Sequence, residues 1–347
     1  MRGRLRRAGF GAAVALAAYA GLVVIVNIFY TPGSGPLDVR GAAHLPRAGA
    51  SLSVLIWNLG YAGLGAESDF VADGGRHYLP PSRAGVRENL AGIASVLART
   101  DADLFLFQEV ARAGPLNYWV DVLDGIERAL PGRASVFDPE VLTRLLPPPL
   151  RLAHGTAIFG RLKIGASERV ALPLESERLA GLLRRRYRMH VARLPIAQAS
   201  GEWVIVNVHL AAFDRDAELR LRQLREVVRF AQREFDKGNP VVIGGDWNME
   251  FVKQRFPHAT DDKFLFWLHD FPFAELAEGW RAAFDASVPS ARTLHEPYRP
   301  GRTYVTVIDG FVVSPNVEVE SVRGIDLAFA YSDHQPVRGV FRYRGTR

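Results

Sequence analysis

The sequence predicts an α/β fold with large sheets, in which some strands pair antiparallel. One membrane-spanning helix is predicted to precede this fold in the chain. Three observations lead to these predictions. Short apolar segments typical of strands alternate with a few segments of helical periodicity. The 347 residues are 48% hydrophobic, which is enough apolar material for one large core or two domains. An uncharged apolar stretch near the N-terminus is long enough to cross a bilayer.

The N-terminal segment is predicted to be a membrane anchor. Residues 1–7 form a basic tail with four arginines, and residues 8–30 carry no charge. A helix of this length spans a bilayer core of about 30 Å. Because the arginines precede the span, the N-terminus is expected in the cytoplasm and the rest of the chain in the periplasm or outside the cell. Signal-peptide cleavage near residues 18–20 is the alternative, but it would leave an apolar segment exposed.

The remainder of the chain is predicted to be a linker, over residues 31–50, and one body over residues 51–347. The linker is rich in Gly, Pro and Ala. The net charge of +6 belongs mostly to residues 1–50, which hold six arginines and one acid. The body is therefore nearly neutral, unlike a protein that follows a nucleic-acid backbone with a basic face. The absence of cysteine excludes disulfides, zinc–thiolate sites and cysteine nucleophiles.

Strands and amphipathic helices alternate along the predicted body. Helical spacing of apolar residues predicts helices over residues 81–100, 116–130 and 217–235, and in parts of 260–280. Runs of β-branched and aromatic residues predict strands. These runs cover residues 51–58, 102–110, 155–164, 186–196, 202–213, 241–250, 302–314 and 337–344.

Polar side chains stand at the ends of five predicted strands, where strand propensity does not favour them. They are Asn58, Glu109, Asn207 with His209, Asp246 with Asn248, and Asp309, and a loop before the last strand adds Asp333 and His334. Residues two apart on a strand face the same side, so each pair could grip one ligand. Each residue alone also has a simpler explanation: a Gly-Asp-x-Asn turn, a solvated strand end, or a core histidine with its hydrogen bonds satisfied.

Together these residue types have the chemistry that metal-dependent cleavage of a phosphoester requires. Carboxylate and amide oxygens are hard ligands that suit Mg²⁺. A histidine paired with a carboxylate can take a proton from water. Amides and a second histidine can hold a phosphate group and its developing charge.

The order of these motifs resembles the endonuclease/exonuclease/phosphatase superfamily, which includes secreted DNases, bacterial sphingomyelinases and inositol-polyphosphate 5-phosphatases. The motifs are, in chain order, Asn58, Gln108-Glu109, N-x-H at 207–209, G-D-x-N at 245–248, Asp309, and S-D-H at 332–334. The resemblance covers residues 51–343. It implies a DNase I-like, four-layer α/β/β/α sandwich of two mixed sheets, with the helices outside and the site at the strand ends.

The resemblance implies one group of residues for the metal and the phosphate. Glu109 would be the main ligand of Mg²⁺, or of Mn²⁺ in its place, with Asn58 beside it. Asn248 would hold a phosphate oxygen, and Asn207 is expected to contribute to the same phosphate site. His209 would contact the phosphate or assist the leaving oxygen.

The resemblance implies a second group of residues for water and proton transfer. His334 would be the general base, with its ring aligned by Asp309. Asp246 would orient the attacking water or contribute to the metal site, and Asp333 would support the metal or the base.

The expected function is a Mg²⁺-dependent phosphoester hydrolase, membrane-tethered and facing outward, that acts on a phospholipid headgroup or another small phosphoester. An extracellular or periplasmic nuclease is the alternative, and a non-catalytic phosphate-binding protein is the second alternative. The histidine at position 209 groups with the DNase, sphingomyelinase and phosphatase branches, because abasic-site endonucleases usually have a tyrosine there. No obligate protein partner is inferred beyond the lipid bilayer.

Two further segments of the sequence each allow two interpretations. The Asp73-Gly74-Gly75 segment is either a tight glycine turn or a loop that contacts substrate. The arginines between Arg178 and Arg188 are either a solvated loop and strand edge or a patch for an anionic group.

Overall fold

Two mixed sheets packed face to face, with helices on both outer sides, make up the body. The computed structural model describes residues 2–30, 33–41, 44–174, 185–198, 201–212, 216–253 and 256–345. Separate apolar clusters fill the space between the sheets and the space beneath the helices on either side. The predicted α/β/β/α sandwich is confirmed.

The described residues form four α-helices and fifteen strands. The helices are α1 Arg2–Phe29, α2 Arg83–Arg99, α3 Val122–Ala129 and α4 Glu218–Asp236. The first strands are β1 Gly35–Pro36, β2 Ser51–Asn58, β3 Leu104–Ala111, β4 Ala134–Leu142, β5 Ala153–Gly160, β6 Ala166–Ala171 and β7 Arg188–Pro195. The others are β8 Glu202–His209, β9 Val241–Asp246, β10 Arg281–Ala283, β11 Ala291–Arg292, β12 Val305–Thr306, β13 Asp309–Val313, β14 Val317–Gly324 and β15 Val337–Tyr343.

The strand order puts one parallel pair in the middle of each large sheet. Over the described residues, one sheet runs β1-β6-β7-β8-β9-β13-β10 and the other runs β14-β15-β2-β3-β5-β4. β2 pairs parallel with β3, and β8 pairs parallel with β9, whereas their other neighbours are antiparallel. The carboxyl ends of each parallel pair therefore lie side by side.

Alternating side chains on the central strands create the layers. On β2, Val54 and Ile56 join the cluster between the two sheets, whereas Leu55 and Trp57 join the cluster beneath α2 and α3. The second sheet is covered on its outer face by α4, which contributes Val227 to the third cluster. Successive residues of a strand point to opposite faces, so one fully apolar strand supplies two cores.

Six strands were not predicted from the sequence: the longer β4, β6 and β14, and the two- or three-residue strands β1, β10 and β11. β4 and β14 lie at the two edges of the six-stranded sheet, and β6 lies next to the edge of the other. Edge strands face solvent and tolerate charged residues and proline, so they lack the apolar run that identifies a central strand. Residues 260–280 form only short 3-10 turns where helical parts were expected.

The prediction of a linker is wrong for residues 33–41 and 44–50, which pack on the body. Gly35 and Pro36 pair with the edge of β6, and the backbone N–H of Leu37 donates to the Ser167 carbonyl at 2.8 Å. Ala48 is fully buried among residues of the inter-sheet core. A Gly- and Pro-rich segment can lie along a sheet edge because the missing N–H of proline then faces solvent.

The N-terminal helix is long and apolar enough to cross a membrane. The stretch Gly9–Phe29 has 21 residues and a mean hydropathy of 2.3, a property that a signal sequence near an N-terminus shares. Its C-terminal end is fastened to the body. The buried Asn27 side chain donates to the Arg144 carbonyl at 3.0 Å and accepts from the Arg144 N–H at 2.8 Å. The guanidinium of Arg186 donates to the Asn27 carbonyl at 2.8 Å.

A buried ion-pair network between α4 and β7 gives a prediction for stability. Glu234 is 2% exposed and accepts from Arg193 at 2.9 and 3.0 Å and from Lys237 at 2.7 Å. Burial opposes ionisation, but these hydrogen bonds outweigh it and lower the pKa of Glu234 from 4.5 to about 2. A carboxyl group whose pKa is lowered in the folded state stabilises the fold at pH values above its unfolded-state pKa. This stabilisation is lost as the pH falls through the folded-state pKa.

We therefore expect Glu234→Gln to lower the free energy of unfolding by about 2 kcal/mol at pH 7. The difference from wild type should shrink as the pH falls from 4.5 towards 2. Urea titrations of the full chain across this range measure it. The control is Glu226→Gln, whose exposed pair with Arg229 should contribute almost nothing. A difference that grows at acid pH would contradict the assignment.

Candidate active site

The two parallel strand pairs bring the predicted side chains to one end of the sandwich. Asn58 and Glu109 lie at neighbouring ends of β2 and β3 in one sheet. In the other sheet, His209 at the end of β8 is the Cα partner of Asp246 at the end of β9. Asp246 is also the partner of Asp309, which begins the antiparallel β13. Five residues far apart in the chain thus meet because of strand direction and register.

These strand ends surround a cavity of about 210 Å³. Seven of the predicted residues line it: Asn58, Glu109, His209, Asp246, Asn248, Asp333 and His334. Asp309 lies behind His334 and does not line the cavity, in keeping with a residue that acts through the histidine.

His334 and Asp309 form a buried hydrogen-bonded pair. The distance from Nδ1 of His334 to Oδ2 of Asp309 is 2.8 Å, which leaves Nε2 of the ring directed at Asp246, 3.6 Å away. Trp57 helps to hold this loop by donating its indole N–H to the His334 carbonyl at 2.9 Å. Burial alone would lower the pKa of His334, but the carboxylates of Asp309 and Asp246 outweigh burial and raise it well above its usual value.

Asp246 is the centre of the polar contacts in the cavity. Its Oδ2 accepts from the amide of Asn58 at 3.0 Å and lies 3.3 Å from Nε2 of His209. Its Oδ1 accepts from the backbone N–H of Asn248 at 2.9 Å, and Asn248 has a φ of +52°. This left-handed residue turns the chain directly after β9, so the Gly-Asp-x-Asn segment is both a turn and part of the site.

Glu109 lies on the opposite wall from Asp246, at a bulge in β3. Its φ is +53°, in the left-handed region that non-glycine residues seldom adopt. The register between β3 and β5 shifts at this position, and such bulges redirect a side chain. Burial raises the pKa of Glu109 to about 7, with the charges of Asp333 and Asp246 adding to the effect and Arg185 opposing it.

The donor set fits a hard divalent cation. Carboxylates of Glu109, Asp246 and Asp333 lie around one buried space, and such crowding costs free energy unless positive charge compensates it. The ligand atoms are carboxylate and amide oxygens, the kind that Mg²⁺ and Mn²⁺ prefer. Asp246, Asp309 and His334 also bring one ligand atom each within 4.8 Å of one another. However, Nδ1 of His334 and Oδ2 of Asp309 are already hydrogen-bonded to each other, so these two atoms are not available as metal ligands.

Arg185 lines the cavity and belongs to the arginine run for which the sequence allowed two interpretations. Its guanidinium lies 3.7 Å from Oε1 of Glu109 and 3.0 Å from Nε2 of His209. It also donates to the buried carboxylate of Glu140 at 2.7 and 3.0 Å. Arg186 and Arg188 point to other partners, the end of α1 and Asp138. Arg178 and Arg184 lie outside the described residues.

Three more residues line the cavity, and of these only Asp73 lies in a segment for which a substrate contact was considered. Asp73 is buried and accepts from the Leu294 N–H at 3.0 Å, and burial together with Asp333 raises its pKa to about 7. The following Gly74 has a φ of +88°, so the segment is a glycine turn that also carries a cavity residue. Arg292 and Tyr61 complete the wall. Burial and the nearby Glu109 raise the pKa of Tyr61 well above its usual value, so the phenol keeps its proton.

Asn207 lies beneath the cavity and does not line it. It is fully buried, and its amide donates to the carbonyls of Phe107 and Ala157 at 3.0 and 3.3 Å. Its side-chain oxygen accepts from Gln108 at 2.6 Å. These bonds join the two sheets across their centre, so the expected phosphate contact of Asn207 is corrected to a structural one. Residues i and i+2 do share a strand face, but only the last residue of β8 reaches the cavity.

Comparison with known proteins agrees with this geometry. The model of the Endonuclease/Exonuclease/phosphatase family matches residues 55–334. An endonuclease/exonuclease/phosphatase from Beutenbergia cavernae DSM 12333 is 19% identical, with 84% of this chain and 72% of that chain covered and a TM-score of 0.54. One from Bacteroides vulgatus is 15% identical, with 84% and 99% covered and a TM-score of 0.54. No curated protein sequence matches the chain.

A third similar structure is D. rerio TDP2 complexed with a single strand DNA product. It is 15% identical, with 84% of this chain and 99% of that chain covered and a TM-score of 0.53. At these identities the solved structures show a shared fold. The family model extends from before Asn58 to His334 and so includes every strand end that lines the cavity. The chain therefore belongs to the endonuclease/exonuclease/phosphatase family and is a metal-dependent hydrolase of the phosphoesterase or nuclease kind.

Proposed function

We propose that the protein is a Mg²⁺-dependent phosphoester hydrolase, tethered to a membrane and facing outward, that acts on a phospholipid headgroup or another small phosphoester. The observation that carries the proposal is the buried His334–Asp309 pair, whose free ring nitrogen faces Asp246 in a cavity shared with Glu109. This arrangement unites a proton acceptor, oxygen donors for a cation and amides for a phosphate in one small space.

Glu109 and Asn58 are the residues that would hold the cation, with Mn²⁺ able to replace Mg²⁺. A bound divalent cation supplies positive charge at the phosphate and lowers the pKa of water. Asp246 and Asp333 lie close enough to these ligands to support the same charge. Asn58 already contacts Asp246, so the two sheets hold the donors in fixed relation.

Phosphate binding is assigned to Asn248, His209 and Arg185, which line the cavity. Burial, with the charge of Arg185 adding to it, lowers the pKa of His209 well below its usual value, so the ring is neutral. A neutral ring can donate one hydrogen bond to a phosphate or leaving oxygen without adding charge. Arg185 supplies a permanent positive charge. Glu140 holds its Nε and Nη2, so Nη1, which lies near Glu109 and His209, is the nitrogen assigned to a phosphate oxygen.

His334 is assigned as the base that takes a proton from the attacking water. Asp309 holds the ring through Nδ1. With a cation bound, the charge of the surrounding carboxylates that raises the pKa of His334 would be offset, and the neutral ring could then accept a proton at Nε2. The carboxylates that raise the pKa of His334 also stabilise the imidazolium that forms. Asp246 lies 3.6 Å from that nitrogen and is placed to orient the water.

A membrane substrate is favoured by the N-terminal helix and the charge balance of the body. Six arginines of residues 1–50 account for most of the net charge. The body therefore lacks the excess of positive charge that proteins usually use to bind a nucleic-acid backbone. The apolar helix ends in hydrogen bonds to the body, which would hold the cavity near the membrane. A nuclease, or a non-catalytic phosphate-binding protein, is an outcome of the following experiment.

The full chain in lipid nanodiscs, with Mg²⁺, should be assayed in parallel on sphingomyelin, phosphoinositides and plasmid DNA. We expect hydrolysis of a lipid phosphoester and little nicking of DNA. A second measurement is protease access to the body in intact cells, which tests the outward orientation. Faster cleavage of DNA than of every lipid would replace the proposal by a nuclease. Binding of phosphoesters without hydrolysis under any divalent cation would replace it by a binding protein.

Arg185 provides a separate prediction for phosphate binding. Arg185→Met should raise KM by about tenfold to a hundredfold, since a hydrogen bond to a charged group contributes about 1.5–3 kcal/mol. Because methionine would leave Glu140 buried without a partner, the double variant with Glu140→Gln checks that the loss is not caused by misfolding. The control is Arg225→Met on the exposed face of α4. Unchanged KM in both Arg185 variants would exclude a role in phosphate binding.

A further inference from the structure

A second cavity opens beside the catalytic one and is lined mainly by apolar side chains. Its volume is about 310 Å³, within the range of pockets that bury a small ligand. Tyr61, Leu64 and Phe70 line both cavities, so the two are adjoining. A molecule that has its phosphate beside Glu109 can therefore extend a neighbouring group into this second space, which we call the apolar groove.

The polar residues of the apolar groove are already paired or uncharged. The amide of Asn117 donates to the carbonyls of Val120 and Arg112 at 2.7 and 3.2 Å, and its oxygen accepts from Gly114. The guanidinium of Arg112 is paired with Asp121 at 2.9 Å. Burial, together with the charge of Arg185, lowers the pKa of His154 to about 3, so its ring is neutral. A group that needs hydrogen bonds would gain little here.

Exposed apolar side chains stand at the mouth of the apolar groove. Leu79 is 37% exposed, Leu116 is 39% exposed and Tyr78 is 75% exposed. Trp119, 45% exposed, lies three residues beyond Leu116 and donates its indole N–H to the Pro149 carbonyl at 2.6 Å. A patch of this kind on a surface indicates contact with an apolar partner or a lipid phase.

The same side of the body is fastened to the apolar helix. The loop of residues 143–152 joins β4 to β5, and its Leu152 lines the apolar groove. At the start of this loop, the Arg144 backbone is bonded to Asn27, near the C-terminal end of the helix. The loop thus connects the helix with the groove wall. A helix embedded in a bilayer would keep the mouth of the groove at the lipid surface.

We propose that the apolar groove binds one hydrocarbon chain of an amphipathic phosphoester while its phosphate lies in the catalytic cavity. The substrate is then a membrane lipid, and the groove selects it by burying methylene groups. This inference rests on the proposed function of the neighbouring site. A nucleoside fits less well, because the edges of its base would lose their hydrogen bonds to water against Asn117 and Arg112, which are already paired.

Binding of short alkyl phosphates tests the groove independently of catalysis. The full chain in nanodiscs is titrated by calorimetry with methyl, butyl and hexyl phosphate, and empty nanodiscs are subtracted. Affinity should rise by about twofold to fourfold for each added methylene, as expected for methylenes leaving water. The same rise should appear in kcat/KM for methyl, butyl and hexyl 4-nitrophenyl phosphate, because these esters share one leaving group.

Two substitutions at the mouth should remove this dependence on chain length. Leu79→Asp and Leu116→Asp put a charge where the chain would lie, and both side chains are exposed enough for the fold to tolerate the change. The matched control is Phe273→Asp, since Phe273 is 47% exposed and does not line the groove. The methyl ester should be hydrolysed at the wild-type rate by all three variants.

Binding and hydrolysis that are independent of chain length, with the methyl ester still hydrolysed, would overturn the groove and leave the proposed function intact. Absence of hydrolysis for every ester and divalent cation would contradict the proposed function instead, and the binding series would still decide the groove. A 4-nitrophenyl ester of thymidine phosphate preferred over the hexyl ester, with the preference lost in Leu116→Asp, would overturn the lipid assignment in favour of a base.

Discussion

Replacing Glu109 by glutamine is expected to lower kcat by about 10²- to 10⁴-fold while the protein stays folded. The carboxylate is the assigned cation ligand, and an amide of the same shape has no charge to offer. Folding should not suffer, because burial penalises the charged form of Glu109 and raises its pKa to about 7. The measurement is steady-state hydrolysis of bis(4-nitrophenyl) phosphate by wild type and variant over a range of Mg²⁺ concentrations.

The matched control for this substitution is Glu88→Gln on the exposed face of α2. It makes the same chemical change outside the cavity and should leave kcat unaltered. Circular dichroism of both variants checks the fold. If Glu109→Gln retained wild-type kcat at low Mg²⁺, Glu109 would not be a ligand, and the group of Asp246, Asp309 and His334 would become the next candidate.

Replacing His334 by alanine is expected to reduce kcat by about 10²- to 10⁴-fold, the usual contribution of a positioned general base. KM should change much less, since accepting a proton from water matters mainly in the transition state. Asp309→Asn should cause a smaller loss of the same kind, because asparagine can still contact the ring but cannot stabilise its positive charge. Both variants are assayed on the same phosphodiester, with thermal unfolding as the check on folding.

The double variant of His334 and Asp309 decides whether the two act as one unit. Asp309 does not line the cavity and reaches the substrate only through the ring. Once His334 is absent, loss of Asp309 should therefore have little further effect, and the double variant should be about as slow as His334→Ala. Fully additive losses on folded protein would mean that the base lies elsewhere, with Asp246 the next residue to test.

Much of the fold was predictable because the central strands are continuous apolar runs. β2, β3, β8 and β9 are buried on both faces, and such strands are identified by composition alone. Their polar terminal residues were equally visible, and strand direction then determined which of them would meet. The edge strands β4 and β14 were missed because charged and polar residues on the solvent side interrupt their apolar pattern.

The rest of the site depends on tertiary contacts that have no local pattern. Arg185 belongs to a run of arginines, and only the fold separates it from Arg186 and Arg188, which bond elsewhere. Asp73 reaches the cavity from a loop about 260 residues away from His334 in the chain. Asn207 is the opposite case, a residue that was predicted to contact the ligand and does not line the cavity. Its place in an N-x-H motif suggested the contact, but its side chain is buried between the sheets.

Thermal unfolding with and without Mg²⁺ tests the metal site of this hydrolase without relying on activity. A ligand that binds only the folded protein raises Tm with concentration. Wild type should gain Tm on addition of Mg²⁺ or Mn²⁺ and lose the gain in excess EDTA, together with hydrolysis of bis(4-nitrophenyl) phosphate. Glu109→Gln should show neither the gain nor the hydrolysis. Full hydrolysis by wild type in excess EDTA, with a Tm that does not respond to either cation, would contradict metal-dependent catalysis at this site.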